Sequence, residues 1–316
     1  MRAVVFTEFG PPSVVHVTEV VAPHAGPGEV RIAVRASGIS TGEVRIRSGK
    51  LADVVPVTFP YRTGFEAAGV VDEVGDAVTG VTVGDQVFGM ASPATRGANA
   101  DHVVLSAWAG KPAAWSWAEA GGAAGSVETA TRVLDRLGVA AGHTVLVHGA
   151  AGAVGSVAVQ VAATRGAVVI GTASERNHEF LRSLGTVPTT YGPGLPGRIR
   201  RLATGGVDAV FDCAGGALPD LIDIAGDAAR VVTIADFEAA AHGVHLSHGA
   251  PADRTGKAVG AGADVLAVHG LDIAVRLAES GRLHIPVAAT FPLDQAAAAH
   301  ELSEARHAPG RIVLVN

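Results

Sequence analysis

An α/β fold, with a doubly wound parallel sheet beside a β-rich, barrel-like domain, is predicted by three features of this 316-residue chain. From Trp117 to about Asp264, short apolar strands alternate with helical stretches, the pattern of a parallel sheet covered on both faces. Before Trp117, six short runs at 2–6, 14–20, 30–36, 69–74, 86–89 and 101–105 are separated by Gly, Pro, Asp and Ser, which reads as a mostly antiparallel barrel. The third feature is the segment 145–162, VLVHGAAGAVGSVAVQVA, an apolar strand, a glycine turn and a helix that opens on small residues. That order begins a Rossmann-type βαβ nucleotide-binding unit.

In the second region, helices are expected at 118–124 and 127–137, and strands at 144–148, 168–172, 209–212 and 230–235. Amphipathic helices are expected at 265–280 and 294–304, with strand-like pieces at 285–291 and 311–315. If the last strands rejoin the barrel, the first domain is discontinuous. The expected division is therefore 1–118 and 262–316 for the barrel, and 119–261 for the nucleotide-binding domain.

Composition narrows the function classes. Hydrophobic residues make up 48% and charged residues 17%, which suits a compact enzyme with buried parallel strands. A net charge of −6 leaves no basic footprint for nucleic acid or an anionic membrane surface. A single cysteine, Cys213, excludes an intramolecular disulfide and a thiolate-rich zinc site. The N-terminus has no signal-peptide pattern, and no apolar run reaches the ~20 residues a spanning helix needs, so the cytoplasm is the expected location.

The glycine turn carries the chemistry. Gly152 allows a pyrophosphate to approach the backbone, Gly155 allows the helix to lie close to the strand, and the helix N-terminus offers N–H donors. Ala150 stands where the usual pattern has its first glycine. After the second strand, an acid ~20 residues beyond the glycines would select NAD through the ribose hydroxyls. Here the strand runs into Ala173-Ser174-Glu175-Arg176. Ser174 and Arg176 can donate to a 2′-phosphate, so NADPH is the favoured cofactor, whereas a register slip that brings Glu175 to the ribose would favour NAD.

Further motifs carry a family resemblance. Gly64-Phe-Glu-Ala-Ala-Gly69 with Val83-Gly-Asp-Gln-Val87, Phe211-Asp-Cys-Ala-Gly-Gly216, and Ala299-His300 followed by Pro309-Gly-Arg-Ile-Val-Leu314 resemble the signatures of zinc-independent, zeta-crystallin-like quinone oxidoreductases. These belong to the medium-chain dehydrogenase/reductase superfamily, and the resemblance covers essentially the whole chain. It implies a GroES-like barrel built from both termini around a Rossmann domain, with the active site in the cleft between them. It also implies NADPH, a small-molecule carbonyl or quinone substrate, and a homodimer. Carried over by motif position, Ala151, Gly152, Ala153, Val154 and Gly155 line the pyrophosphate. Ser174, Arg176 and Tyr191 reach the 2′-phosphate, while Ser40, Thr129, Thr233, Ile234 and Ala235 lie toward the nicotinamide. Arg45 and Tyr61 are the candidates to face substrate, Arg45 with a surface role as its alternative.

Zinc-dependent relatives carry a Cys near Ser40 and a His where Phe65 stands, so no metal is expected. His242, His245 and His248 read as loop-and-strand histidines, because i and i+3 on a strand face opposite ways. Glu66 and Asp85 read as carboxylates that pin backbone N–H groups at glycine turns. The activity implied is hydride transfer from NADPH to a quinone or to the β-carbon of an α,β-unsaturated carbonyl. A non-catalytic NADPH-binding protein and an alcohol dehydrogenase are the alternatives. No catalytic side chain or proton donor is assigned.

Overall fold

The computed structural model describes residues 1–53, 55–250, 263–305 and 308–316. In chain order its first strands are β1 (Arg2–Phe6), β2 (His16–Glu19) and β3 (Val30–Ile39), followed by helix α1 (Thr41–Arg47). Strands β4 (Tyr61–Arg62), β5 (Glu66–Val74), β6 (Gln86–Ala91) and β7 (His102–Gly110) come next, then helices α2 (Trp117–Gly121) and α3 (Ala124–Arg136). Alternating elements follow: β8 (Thr144–His148), α4 (Ala153–Thr164), β9 (Val168–Thr172), α5 (His178–Ser183), β10 (Val187–Thr189), α6 (Leu195–Leu202), β11 (Ala209–Asp212), α7 (Leu218–Ala225) and β12 (Val231–Thr233). The remainder comprises β13 (His245–Leu246), β14 (Gly249–Ala250), β15 (Asp264–Val265), α8 (His269–Glu279), β16 (Val287–Pro292), α9 (Ala296–Ala305) and β17 (Arg311–Val315).

Two compact units form, one from Met1–Gly125 with Leu271–Asn316, the other from Ser126–Gly270. The expected boundary at 261–262 lies outside the described residues.

In the first unit, the ten-residue β3 organises the barrel. It pairs antiparallel with β5 along its length, with β7 over Val30–Ala33, and with β17 over Ala36–Ile39. Register shifts at Arg31/Ile32 and Val34/Ala36 let one strand serve three partners. Its alternate residues Val30, Ile32 and Val34 face a core shared with Ala67, Val71, Val87, Val103 and Leu105. Because β17 joins β3, the last strands do return to the N-terminal barrel.

The second unit holds a six-stranded, all-parallel sheet in the order β10-β9-β8-β11-β12-β13. The order in which strands are added reverses between β8 and β11, so their C-terminal ends flank the crevice where such sheets take ligands. Residues Gly155–Ala162 of α4 are all buried, as the nearly all-apolar helix requires. The reading of helix from residue 265 is corrected at its start. Asp264 and Val265 instead pair parallel with Gly249 and Ala250, and the helix begins at His269.

Candidate cofactor site

The strand β8 delivers the chain to the crevice, and Gly149, at φ +80°, turns it. The Gly149 N–H donates to Thr172 Oγ1 at 3.0 Å, and the Ala150 N–H donates to the Thr172 carbonyl at 3.0 Å, so the turn is pinned to β9. The turn's left-handed residue is therefore Gly149, one position before the expected first glycine. This explains Ala150: its backbone needs no positive φ, and its methyl covers Gly171 of β9, where an added Cβ would lie 2.7 Å away.

Gly152 caps α4 without any side-chain acceptor, and the first intrahelical bond runs from the Ser156 N–H to the Gly152 carbonyl at 2.9 Å. The N–H groups of Ala153, Val154 and Gly155 thus have no acceptor within the helix and sit at its positive dipole end. A Cβ on Gly155 would meet the Gly149 carbonyl oxygen and stand 2.8 Å from the Ala150 Cα. Only glycine permits this approach. Gly155→Ala should cost about 1–3 kcal/mol of stability, because backbone on both sides must yield. Urea denaturation with tryptophan fluorescence measures it, and a cost below about 0.5 kcal/mol would contradict the close packing.

The next two strand exits lie side by side. Thr172 of β9 pairs with Thr189 of β10, and the Ala173 N–H donates to the Thr189 carbonyl. Ala173 is buried, Ser174 caps a short 3-10 turn over Glu175–Asn177, and Arg176 is exposed on that turn. Tyr191, two residues beyond Thr189, is 57% exposed. Ser174 and Tyr191 therefore stand at equivalent distances past a paired register, on strands about 4.8 Å apart.

Across the reversal point, Asp212 is fully buried and organises the ends of β11 and β12. Its Oδ1 accepts the Ala214 and Gly215 N–H groups at 3.0 and 2.9 Å, and its Oδ2 accepts the Thr233 hydroxyl at 2.7 Å. Thr233 Oγ1 in turn accepts the N–H groups of Ala235 and Asp236 at 3.1 and 3.0 Å. Ile234 donates its N–H to the Asp212 carbonyl. The segment 233–235 is thus fixed by one carboxylate. Burial, then Asp212, pushes the Cys213 thiol well up, which disfavours a thiolate nucleophile. His148 is buried beside Thr172, with Nδ1 2.8 Å from Oγ1, and burial holds its pKa down against the pull of Asp212 and Asp220.

In the other unit, Ser40 is the N-cap of α1, its Oγ accepting the Glu43 N–H at 3.2 Å. Arg45 lies half-buried on the same helix. The Tyr61 ring packs 4.9 Å from Phe6, and Arg96 Nη1 donates to its hydroxyl at 3.3 Å. Burial, then Glu43, raises that phenol. Thr129 on α3 is tied to Glu128 at 3.2 Å. His245 pairs with Asp264 at 3.0 Å while His242 and His248 are exposed, so the three histidines serve separate places. No metal-holding group of three occurs among the described residues.

Sequence reasoning missed Glu43. It is completely buried, its Oε1 accepts the Gly64 N–H at 2.5 Å and the Asn99 amide at 3.2 Å, and burial raises its carboxyl to about 7. Its Oε2 has no partner among the described residues. The available signal was the Ser40-x-x-Glu43 spacing of a helix start, but a capping box would turn that carboxylate back to Ser40 rather than inward.

Comparison with known proteins places this geometry. Residues 26–137 match the alcohol dehydrogenase GroES-like domain, and residues 196–314 match the zinc-binding dehydrogenase domain. The chain belongs to the medium-chain dehydrogenase/reductase superfamily. Within that superfamily, an NAD-dependent alcohol dehydrogenase is 29% identical with a TM-score of 0.83, each chain covered in full. The quinone oxidoreductase of Coxiella burnetii is 27% identical with a TM-score of 0.78, covering 100% of this chain and 99% of that one. A spectinabilin polyketide synthase system protein of Streptomyces orinoci is 39% identical over 206 residues, 64% of this chain and 9% of its own length. The rat synaptic vesicle membrane protein VAT-1 homolog is 35% identical over 227 residues, 68% of this chain and 54% of its own. The chain thus spans a small part of the first and about half of the second.

The superfamily implies a nicotinamide cofactor, and the cradle fits one: three uncapped N–H donors face the crevice, and no side chain can enter at Gly155. The zinc named in one matched domain does not fit. Ser40 has its oxygen committed to a helix cap, and Phe65 has no donor atom and packs with Phe6, Ile46 and Leu51. No helix of the described residues is long and apolar enough to cross a membrane.

Proposed function

We propose that this protein is an NADPH-dependent reductase of the zeta-crystallin-like kind, which transfers hydride without zinc to a quinone or to the β-carbon of an α,β-unsaturated carbonyl. The observation that carries the reading is the pair of strand exits beyond Thr172 and Thr189. A buried alanine takes the place of the ribose-binding acid, and Ser174, Arg176 and Tyr191 leave the sheet together. The NAD alternative would need Glu175, exposed on the same 3-10 turn as Arg176, to take the ribose hydroxyls. The Coxiella burnetii quinone oxidoreductase and a mycobacterial protein complexed with NADPH, 28% identical with a TM-score of 0.76, support the reading, as does the polyketide synthase relative.

When bound, the reduced nicotinamide supplies the hydride; the chain supplies placement. Ala151–Gly155 hold the pyrophosphate through backbone N–H groups. The Ser174 hydroxyl and the Arg176 guanidinium donate to the 2′-phosphate. Thr233, Ile234 and Ala235, fixed by Asp212, form a rigid floor at the nicotinamide end, and Thr129 and Ser40 are the further candidates to contact the cofactor. Arg45 is the candidate to meet negative charge that develops on the acceptor oxygen, and Tyr61 the candidate to bound the acceptor. A homodimer in the cytoplasm completes the proposal.

The test follows absorbance at 340 nm with 1,4-quinones, 2-alkenals and enones, each with NADPH and with NADH. NADPH oxidation by one acceptor class is the expected result. Tight NADPH binding with no turnover across the panel would overturn the enzyme reading in favour of a binding protein. Arg176→Ala should weaken NADPH binding about tenfold while leaving NADH binding unchanged, the loss of one charged donor to phosphate. Isothermal titration measures both, and equal losses would contradict the assignment.

A further inference from the structure

The loop that carries Tyr191 is built around a single side chain. Arg198, in the first turn of α6, points its guanidinium back into the segment Thr190–Pro193. Its Nε donates to the Thr190 carbonyl at 3.3 Å. Its Nη2 donates to the carbonyls of Thr190, Tyr191 and Gly192 at 3.0, 3.2 and 3.1 Å, and its Nη1 to that of Pro193 at 2.8 Å. Four successive carbonyls thus converge on one cation. The chain turns this tightly because Gly192 and Gly194 adopt φ +85° and +78°, a conformation that side chains resist.

Two physical consequences follow. Gathering the four carbonyls removes their partial negative charges from the exit of β10, where an anion would otherwise meet them. Holding the Tyr191 carbonyl inward also fixes the backbone from which the Tyr191 side chain projects, leaving that side chain more than half exposed on an ordered loop. No carboxylate pairs with Arg198 among the described residues, whereas its neighbour Arg200 pairs with Asp223 at 2.7 Å. The positive charge of Arg198 therefore remains at the exit of β10, the strand paired with the one that leads into Ser174 and Arg176.

The geometry points to Arg198 as the positioning residue of an adenosine 2′-phosphate subsite, one that selects NADPH over NADH by shaping the Tyr191 loop rather than by touching the phosphate. This rests on the NADPH reading above and names the residue that would make the subsite selective. A lysine would not substitute, because one ammonium on a flexible stem cannot reproduce the planar fork that spans four carbonyls.

The experiment compares the full-length protein with Arg198→Met, Arg198→Lys and Arg176→Ala by titration with NADPH, NADH, 2′,5′-ADP and 5′-AMP. For Arg198→Met, NADPH and 2′,5′-ADP should each weaken about tenfold, and NADH and 5′-AMP should stay within about twofold. Arg198→Lys should recover less than half of the loss on a logarithmic scale. Retained 5′-AMP binding shows that the nucleotide-binding unit is folded. Equal weakening of all four ligands would overturn the inference and make Arg198 merely structural. If Arg176→Ala removes the NADPH preference and Arg198→Met leaves it intact, the subsite stands and the role of Arg198 falls. If the wild-type protein binds NADH as tightly as NADPH, the underlying cofactor reading falls, and this inference with it.

Discussion

Replacing Glu66 by alanine will lower the unfolding free energy by about 3–5 kcal/mol, more than the cost expected for Gly155→Ala in the glycine turn. Glu66 Oε1 pairs with Arg311 Nη2, and Oε2 accepts the Gly125 N–H at 2.7 Å. Both charged side chains are almost completely buried. One carboxylate thus ties β5 to β17 and to the start of α3. Gly38 belongs to the same arrangement, since an added Cβ there would strike the Arg311 guanidinium and the Glu66 carboxylate. Truncation leaves Arg311 as a buried cation without its carboxylate partner and leaves Gly125 without its acceptor, and both losses add. Replacing both partners, as in Glu66→Met with Arg311→Met, should cost less than Glu66→Ala alone, because no charge is then stranded. Urea denaturation followed by circular dichroism decides the matter. A cost below about 1 kcal/mol for Glu66→Ala would show that the pair is solvated in solution.

Glu66 also shows what was legible in the sequence. A carboxylate within glycine turns reads correctly as a group that pins backbone, but its partners lie 59 and 245 residues away and leave no local trace. The parallel sheet was legible because its strands are continuous apolar runs between helices of distinct texture. The glycine turn was legible as a turn, yet the residue with positive φ could not be told from its neighbours until Gly149 was seen to face Thr172. Helix α1 was hidden by its length: seven residues after a long strand give too few turns for a period to emerge. With it went Glu43, whose burial depends on Gly64 and Asn99, supplied by distant segments. Arg198 was equally silent. A cation in a helix of mixed arginines reads as a solvated face, and nothing local indicates that four carbonyls enclose it.

The two strongly shifted buried groups of the barrel unit should give opposite pH dependences of stability. Glu43 has its carboxyl raised from 4.5 to about 7, first by burial and, among neighbouring charges, by Glu66. The folded protein therefore binds a proton there that the unfolded chain releases above pH 4.5. This contribution is present below pH 4.5 and is lost as pH rises through about 7. His300 on α9 is fully buried, with neither ring nitrogen partnered among the described residues, and burial followed by the adjacent Arg47 lowers its pKa from 6.5 to about 4. Its contribution is present above pH 6.5 and is lost as pH falls through about 4. Each shift corresponds to about 3 kcal/mol across its window, so between pH 4.5 and 6.5 the two slopes nearly cancel in the wild-type protein. Removing either one exposes the other. Glu43→Gln should become more stable relative to wild type as pH rises from 4.5 to 8, by about 3 kcal/mol over that range. His300→Leu should gain relative to wild type by a similar amount as pH falls from 7 to 4, because the variant no longer buries a neutral imidazole that the unfolded chain protonates. Urea melts of the three proteins at half-unit pH intervals measure both limbs. Parallel stability–pH curves for wild type and Glu43→Gln would mean that the carboxylate is hydrated in solution. Parallel curves for His300→Leu would mean the same for the imidazole beneath α9.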